Sequence, residues 1–393
     1  MPGTVIVAGA RTPIGKLSGA LGGFAATELG GFAIAAALDR AGVRPEQVDY
    51  VLMGQVIQAG AGQITARQAA SKAGIPMDVA ATTVNKVCLS GLNAIYLADL
   101  MINAGEADIV VAGGMESMTQ APYLLPGARA GYRIGDGTVV DSMMYDGLFC
   151  AFDNCAMGLG TERYNGSDGI SRERQDAFSA LSHERAARAI KDGRFAEEIV
   201  AVSVPQRKGD PVVIETDEGV RPETTAESLG KLRPAFDKNG TITAGNASQI
   251  SDGGAAVVVM SKAKAEELGV SPLGELVSYG QVAGPSPSLL HQPSHAASVA
   301  LEKAGLSIGD IDIVEINEAF AAVGLASAED LGIDEDRLNV NGGAIALGHP
   351  VGMSGTRLAL TSLLELRRRG GGTAAVSLCG GGGQGDAAIL RSL

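Results

Sequence analysis

A chain of 393 residues, 46% hydrophobic but only 4% aromatic, is long enough for two or three domains and a large core. Its formal charge of −13, from 44 acidic against 31 basic side chains, argues against nucleic acid or an acidic membrane surface as partner. Four cysteines without paired spacing and no signal-peptide pattern predict a reducing, cytoplasmic setting, and no apolar run reaches membrane-spanning length.

In chain order, residues 4–8 read as a short apolar strand, followed by a loop over 11–15. Residues 28–41 read as a helix closed by Gly42, and 48–53 as the next strand. Residues 79–84 are β-branched and apolar and form another strand. The turn Asn85-Lys86-Val87-Cys88-Leu89 then leads into a helix over 92–101 that is apolar on nearly every face, the pattern of a helix buried all round. Cys88 therefore falls at a strand-to-helix turn, where unpaired N–H groups and the helix dipole favour a thiolate. A buried, inert cysteine is the plain alternative. Strands alternating with helices of this length predict an α/β fold with largely parallel pairing.

Residues 119–244 differ in texture. They carry Pro122, Pro126, a glycine-rich stretch over 127–137 and an amphipathic helix over 171–191. Arg172, Arg174, Arg185, Arg188 and Lys191 cluster there, and Arg194, Arg207, Lys208, Arg221, Lys231 and Arg233 follow. In an acidic chain this is the place for phosphate contacts, although any one of these cations is more readily a partner of Glu173, Glu184, Glu197 or Glu198.

The two ends of the chain repeat each other. Residues 37–43 (ALDRAGV) match 300–306 (ALEKAGL), and 48–51 match 311–314 in the same register. Ser90-Gly91 at one helix start matches Ser354-Gly355 at another, and 109–114 (IVVAGG) match 376–381 (VSLCGG). Three matches in order imply two similar α/β halves on a pseudo-twofold, 1–118 plus 245–270, and 271–393. Residues 119–244 form a separate loop domain.

Two further stretches carry chemistry. In the segment 339–355, glycines flank His349 on both sides, and Pro350 biases it toward an extended backbone. A rigidly framed imidazole at a helix start suits a general base. Cys379 ends a strand over 373–378 and opens the glycine run Gly380 to Gly383. That run formally contains GxGxxG, but too few residues follow for a dinucleotide-binding unit. No metal is expected, because Cys88, Cys379 and His349 lack paired ligand spacing and a fourth ligand. In the duplicated halves, Cys88 and His349 precede equivalent helices, which would bring them within reach of each other and of Cys379.

Taken together, residues 85–91 (NKVCLSG), 111–117 (VAGGMES), 317–321 (NEAFA), 342–350 (GGAIALGHP) and 379–382 (CGGG) resemble the signature segments of thiolases, the acetyl-CoA C-acetyltransferase family. The resemblance runs over essentially the whole chain. It implies a duplicated α/β/α/β/α layered fold with an inserted loop domain, in a homotetramer (dimer of dimers) or homodimer. It implies that Cys88 attacks an acyl-CoA thioester and carries the acyl group, with His349 taking its proton. Cys379 would remove the α-proton of a second acetyl-CoA, and His349 with a water on Asn317 would stabilise the enolate oxygen. Backbone N–H groups of Cys88 and Gly381 would form the second oxyanion hole. The coenzyme A positions carried over are Leu148, Met157, Arg221, Ala244, Ser248 and Phe320. Coenzyme A thioesters would enter as substrates, with no permanently bound cofactor.

The expected reaction is the reversible Claisen condensation of two acetyl-CoA to acetoacetyl-CoA and coenzyme A. Two departures blur the substrate: Ala156 stands where biosynthetic relatives have His, and the segment 286–295 brings in His291 and His295, expected against the acyl pocket. The alternative is a degradative 3-ketoacyl-CoA thiolase of broader chain length. A decarboxylating ketoacyl synthase would replace Cys379 by His or Asn, and a non-catalytic lipid carrier would not keep Cys88, His349 and Cys379 together.

Overall fold

The computed structural model describes residues 3–393. The long strands are β1 (Thr4–Arg11), β2 (Tyr50–Gly54), β3 (Ala80–Val84), β4 (Ile109–Ser117), β5 (Ser251–Ser261), β6 (Gly274–Ala283), β7 (Ile313–Ile316), β8 (Thr373–Gly380) and β9 (Gln384–Ser392). They hydrogen-bond in the order β7-β8-β9-β6-β1-β5-β4-β2-β3, and the short strand Gly15–Lys16 adds to β5. The first half, β1-β5-β4-β2, and the second, β6-β9-β8-β7, have the same order and the same sense of pairing. They meet at β1 and β6, where Val5 faces Glu275 and Ile6 faces Gly274. The sequence repeat is thus a structural one.

The expectation of largely parallel pairing is corrected. Among the strands just named, the parallel pairs lie on the flanks, β2 with β3 and β4, and β7 with β8. There a helical crossover returns the chain in the same direction. At the centre, β9 follows β8 by a tight glycine turn and β5 arrives from the long segment after β4, so both run against their neighbours.

Seven helices of ten residues or more occur among the described residues: α1 (Ala26–Ala41), α2 (Ser90–Asn103), α3 (Met157–Asp168), α4 (Arg172–Lys191), α5 (Gln292–Ala304), α6 (Ala321–Leu331) and α7 (Ser354–Arg368). Helices α2 and α7 form the middle layer. Leu92, Ile95, Leu358 and Leu363 share one core with Val110 and Val257 of the first half and Val376 and Leu390 of the second. Each such buried aliphatic side chain contributes about 1.5–3 kcal/mol. Helix α1 covers the outer face of the first half, and α5 and α6 that of the second. Helix α2 is not buried all round: Leu100 is exposed, and Tyr96 and Leu97 are half-buried.

The repeated Ser-Gly pairs explain how closely the middle helices cross. A Cβ on Gly91 would stand 2.7 Å from Thr356 Oγ1, and one on Gly355 would stand 2.5 Å from the Leu92 nitrogen. Only glycine admits that approach. It brings the starts of α2 and α7 face to face.

The segment between β4 and β5 carries α3 and α4 and clasps the first half through Arg11. The Arg11 Nε donates to Glu198 at 2.6 Å and its Nη1 to Asp217 at 2.6 Å, all three side chains fully buried. Arg11 belongs to strand β1, so the expected loop begins only after it. The clustered cations of this segment are mostly spent on structure. Arg172 pairs with Asp176, Arg174 with Glu329 and Arg188 with Glu184, while Arg185 donates to the carbonyls of Glu335 and Leu338.

Candidate active site

The turn before α2 is strained. Val87 has φ of 51°, a region costly for a β-branched residue by about 1–3 kcal/mol. Several bonds hold it. Asn85 Oδ1 accepts the Val87 N–H at 3.1 Å, and Ser90 Oγ accepts from the Lys86 nitrogen at 2.8 Å while donating to the Val87 carbonyl at 2.6 Å. Lys86 reaches across to Asp386 of β9 at 2.7 Å, and the Tyr279 hydroxyl donates to the same carboxylate at 2.7 Å. The second half therefore braces the turn of the first.

Cys88, on that turn, is half-buried against the apolar cluster of Val56, Ile57, Met118 and Val351. Burial pushes its thiol up to about 12, with the nearby Glu116 carboxylate adding to the rise. This corrects the expected thiolate. The helix start does not outweigh desolvation, and the only opposing contribution is the cysteine's own N–H.

His349 lies on the loop before α7 and is 5% exposed. Its Nδ1 meets Ser354 Oγ at 2.6 Å, and Ser354 Oγ donates onward to the Pro350 carbonyl at 3.0 Å. Nδ1 is therefore the protonated nitrogen. Nε2 carries the ring's lone pair, and Asn317 Nδ2 meets it at 3.3 Å. Burial, and then the charge of Arg357, lower its pKa to about 3, so the imidazole is neutral. Asn317 is itself fully buried, and its Oδ1 has no partner. An orphaned buried acceptor of this kind fits a water or a ligand donor.

Cys379 ends β8 without solvent contact, and burial together with the neighbouring Cys88 sulfur raises its thiol far above the ordinary range. The glycines after it lie along the Cys88 turn: a Cβ on Gly380 would meet Leu89 at 2.6 Å, and one on Gly381 would meet Val87 at 3.4 Å. Cys88, His349, Asn317, Cys379 and Gly381 thus come together from both halves. Above them opens a cavity of about 440 Å³ that contains His349 and Val351 in its wall. Leu148, Met157, Arg221, Ala244, Ser248 and Phe320 all line it, and Ala156 lies beside Met157.

Two domain families account for nearly the whole chain: the thiolase N-terminal domain matches residues 4–263 and the thiolase C-terminal domain residues 270–392. The chain belongs to the thiolase family. It is 59% identical over 387 residues to the "Probable acetyl-CoA acetyltransferase" of Mycolicibacterium smegmatis, covering 98% of this chain and 100% of that one. It is 53% identical over 392 residues to the acetyl-CoA acetyltransferase of Cupriavidus necator, covering 100% of both. The crystal structure of the Bacillus anthracis acetyl-CoA acetyltransferase superposes with a TM-score of 0.97 at 40% identity, over 100% of this chain and 99% of that one.

Within this thiolase, the two histidines of the 286–295 segment do not face the cavity. His291 starts α5, with Nδ1 on Asp330 at 2.8 Å and Nε2 on Asp168 at 3.2 Å, and His295 points to solvent. The expectation fails because the chain turns helical at Gln292 and carries both rings outward. The start of the segment does touch the site, since a Cβ on Gly383 would clash with the Ser286 carbonyl. Other contributors went unassigned in the sequence. Glu116, fully buried, accepts the N–H groups of Val56, Ile57 and Gly352 at 2.9, 3.1 and 3.1 Å, and so ties the His349 loop to the first half. Burial raises its pKa to about 8 despite those donors. A glutamate inside an otherwise apolar strand was the available signal. Ser354 and Lys86 carried none beyond their place next to His349 and Cys88.

Proposed function

We propose that this thiolase is an acetyl-CoA C-acetyltransferase, joining two acetyl-CoA into acetoacetyl-CoA and coenzyme A reversibly through an acyl-cysteine. The observation that carries the proposal is the convergence of Cys88, His349, Asn317 and Cys379 below a cavity lined by all six coenzyme A positions. The names of the relatives point the same way.

In the first half-reaction the Cys88 thiol passes its proton to His349 Nε2 and the sulfur attacks the thioester carbonyl. The coenzyme A sulfur leaves and takes up the Cys379 proton, which leaves Cys379 as a thiolate and His349 protonated at Nε2. With both groups neutral at rest, the charged pair forms only as the bond forms. In the second, the Cys379 thiolate takes the α-proton of a new acetyl-CoA, and the resulting carbanion attacks the Cys88 acyl carbon and releases the Cys88 sulfur, which recovers its proton from His349 Nε2. The enolate oxygen is met by His349 and by a water held at the free Oδ1 of Asn317, and the oxyanion of the second step by the N–H groups of Cys88 and Gly381. Arg221 and Lys16 are the cations at the cavity wall suited to the phosphates of coenzyme A. No further cofactor is required by these steps. The enzyme acts in the cytoplasm, in fatty-acid metabolism, as a homotetramer or homodimer. The exposed edge of β3 and the half-exposed α2 residues Tyr96 and Leu97 support a partner copy there.

The two cysteines are told apart by half-reactions. Acid quench after acetyl-CoA should leave an acetyl group on Cys88 in both wild type and Cys379→Ser. The variant should lose condensation by at least ~100-fold, since serine cannot supply a proton acceptor near neutrality. Folded Cys379→Ser that condenses at the wild-type rate, or acetyl found on another residue of active enzyme, overturns the assignment.

A further inference from the structure

Cys155, which stands beside Ala156 in the sequence, is half of a pair. Phe149–Cys150 and Cys155–Ala156 form a short antiparallel hairpin in which Cys150 stands directly opposite Cys155. Such residues have Cα atoms about 4.5–5.5 Å apart and side chains on one face, inside the ~4.4–6.8 Å span of a disulfide. The surroundings of the sulfurs agree. Cys150 Sγ accepts the Asp153 N–H at 3.4 Å. A Cβ on Gly160 of α3 would lie 3.6 Å from Cys155 Sγ and 3.8 Å from Asp153 Oδ2. The Tyr164 hydroxyl, one turn further along α3, donates to that Oδ2 at 3.1 Å. Both sulfurs therefore border one small space around Asp153, beneath α3. Both are free thiols and buried, whereas the loop that joins them carries Phe152 at 74% exposure, which gives a small oxidant its entry.

We propose that Cys150 and Cys155 are a reversible thiol–disulfide pair, a modification site separate from the catalytic cysteines. One sulfur, as its thiolate, attacks a low-molecular-weight disulfide, forming a mixed disulfide and releasing one small thiolate. The second protein thiolate then attacks the protein sulfur of that mixed disulfide and releases the other. Two protein thiols are oxidised, one small disulfide is reduced to two thiols, and the two protons lost from the protein end on them. The hairpin reaches the cavity at its base, where Leu148 precedes it, Ala156 ends it and Met157 follows, all three in the cavity wall. Its tip reaches the loop after Cys379, where a Cβ on Gly382 would meet Phe152 at 2.9 Å. Closing the bond fixes the spacing of the two strands and with it that wall.

Trypsin cuts at Arg133 and Arg163 and finds no Lys or Arg between them, so both cysteines fall on one peptide. The full-length protein, equilibrated in glutathione buffers and trapped with an alkylating agent, should yield that peptide two hydrogens lighter and without alkyl or glutathione at the oxidised end. The reduced end should return both cysteines alkylated, and Cys150→Ser should instead carry glutathione on Cys155. Two alkylated or two glutathionylated cysteines across the whole series overturn the pair. A second arm rests on the proposed coenzyme A cavity, while the first does not. In Cys88→Ser, which removes the half-buried catalytic thiol, oxidation should raise the dissociation constant for coenzyme A several-fold, and replacing Cys150 and Cys155 together by Ser should abolish the change. A formed bond with unaltered affinity overturns its reach into the cavity.

Discussion

Ser354→Ala removes the partner of His349 Nδ1. The wild-type hydroxyl accepts that N–H at 2.6 Å in a site where His349 is 5% and Ser354 2% exposed, so no solvent replaces it. In the resting site the bond is between neutral groups and contributes about 1 kcal/mol. As Cys88 is acylated, the imidazole takes the thiol proton and the same bond becomes charge-assisted, worth about 1.5–3 kcal/mol. Removing it raises the acylation barrier by the difference, about 0.5–2 kcal/mol, a slowing of roughly 2- to 30-fold. The variant also frees the ring to carry its proton on Nε2, where it cannot act as base toward Cys88. Single-turnover acetylation of Cys88, followed by rapid acid quench and mass analysis, reads the step directly. A denaturant midpoint confirms that the variant is folded. Folded Ser354→Ala that acetylates Cys88 at the wild-type rate refutes the reasoning, because Nδ1 would then need no acceptor.

Lys86→Met strands the buried Asp386 carboxylate with the Tyr279 hydroxyl and the Gln281 side chain, and breaking such a pair costs about 3–5 kcal/mol. Burial already raises the pKa of Asp386, so the penalty should shrink on acidification as the carboxylate protonates. Unfolding midpoints that show the same deficit at low and neutral pH contradict this. His183 Nδ1 accepts the Arg221 N–H at 3.1 Å, and burial with the Arg221 charge lowers its pKa from 6.5 to about 4. The unfolded chain takes up this proton first, so the contribution is complete above ~6.5 and is lost as pH falls toward 4, by up to about 3 kcal/mol. His183→Asn, which can still accept from Arg221, should flatten that slope in urea titrations between those limits; an unchanged slope assigns the loss to other groups.

The fold was legible where the two halves repeat each other. The matches from 109–114 to 376–381 and from Ser90-Gly91 to Ser354-Gly355 mark equivalent strands and equivalent helix starts, and the structure sets them in equivalent places. Pairing sense was not legible. Strand β5 is apolar over residues 255–260, like a parallel core strand, yet its direction depends on the long segment after β4 that returns the chain from the far side. At the site, residue identity in the turns pointed to Cys88, His349 and Cys379. Their ionisation could not be read the same way, because local sequence places a helix start near Cys88 while the dry cluster around it comes from residues 56, 57, 118 and 351. His291 and His295 misled for a related reason: the onset of a helix at Gln292, fixed by packing of Ala296, Ala297 and Ala300, sends both rings outward.

The duplication also accounts for how one scaffold holds two different groups over one cavity. Ser90 and Ser354 occupy equivalent positions at the starts of α2 and α7, and each donates to a carbonyl of the turn before it, Val87 in one half and Pro350 in the other. The second bond of each serine differs. Ser90 Oγ accepts a backbone N–H, from Lys86, and so fixes the shape of the turn that presents Cys88. Ser354 Oγ accepts the His349 ring, and so fixes which nitrogen carries a proton. The same hydroxyl is therefore a brace for backbone geometry in the first half and for imidazole chemistry in the second. A loss at Ser90 should disturb where the nucleophile stands, whereas a loss at Ser354 should disturb how readily its proton leaves. The close crossing at Gly91 and Gly355 then sets the two turns face to face, which orients the proposed nucleophile Cys88 and the proposed base His349 toward one place.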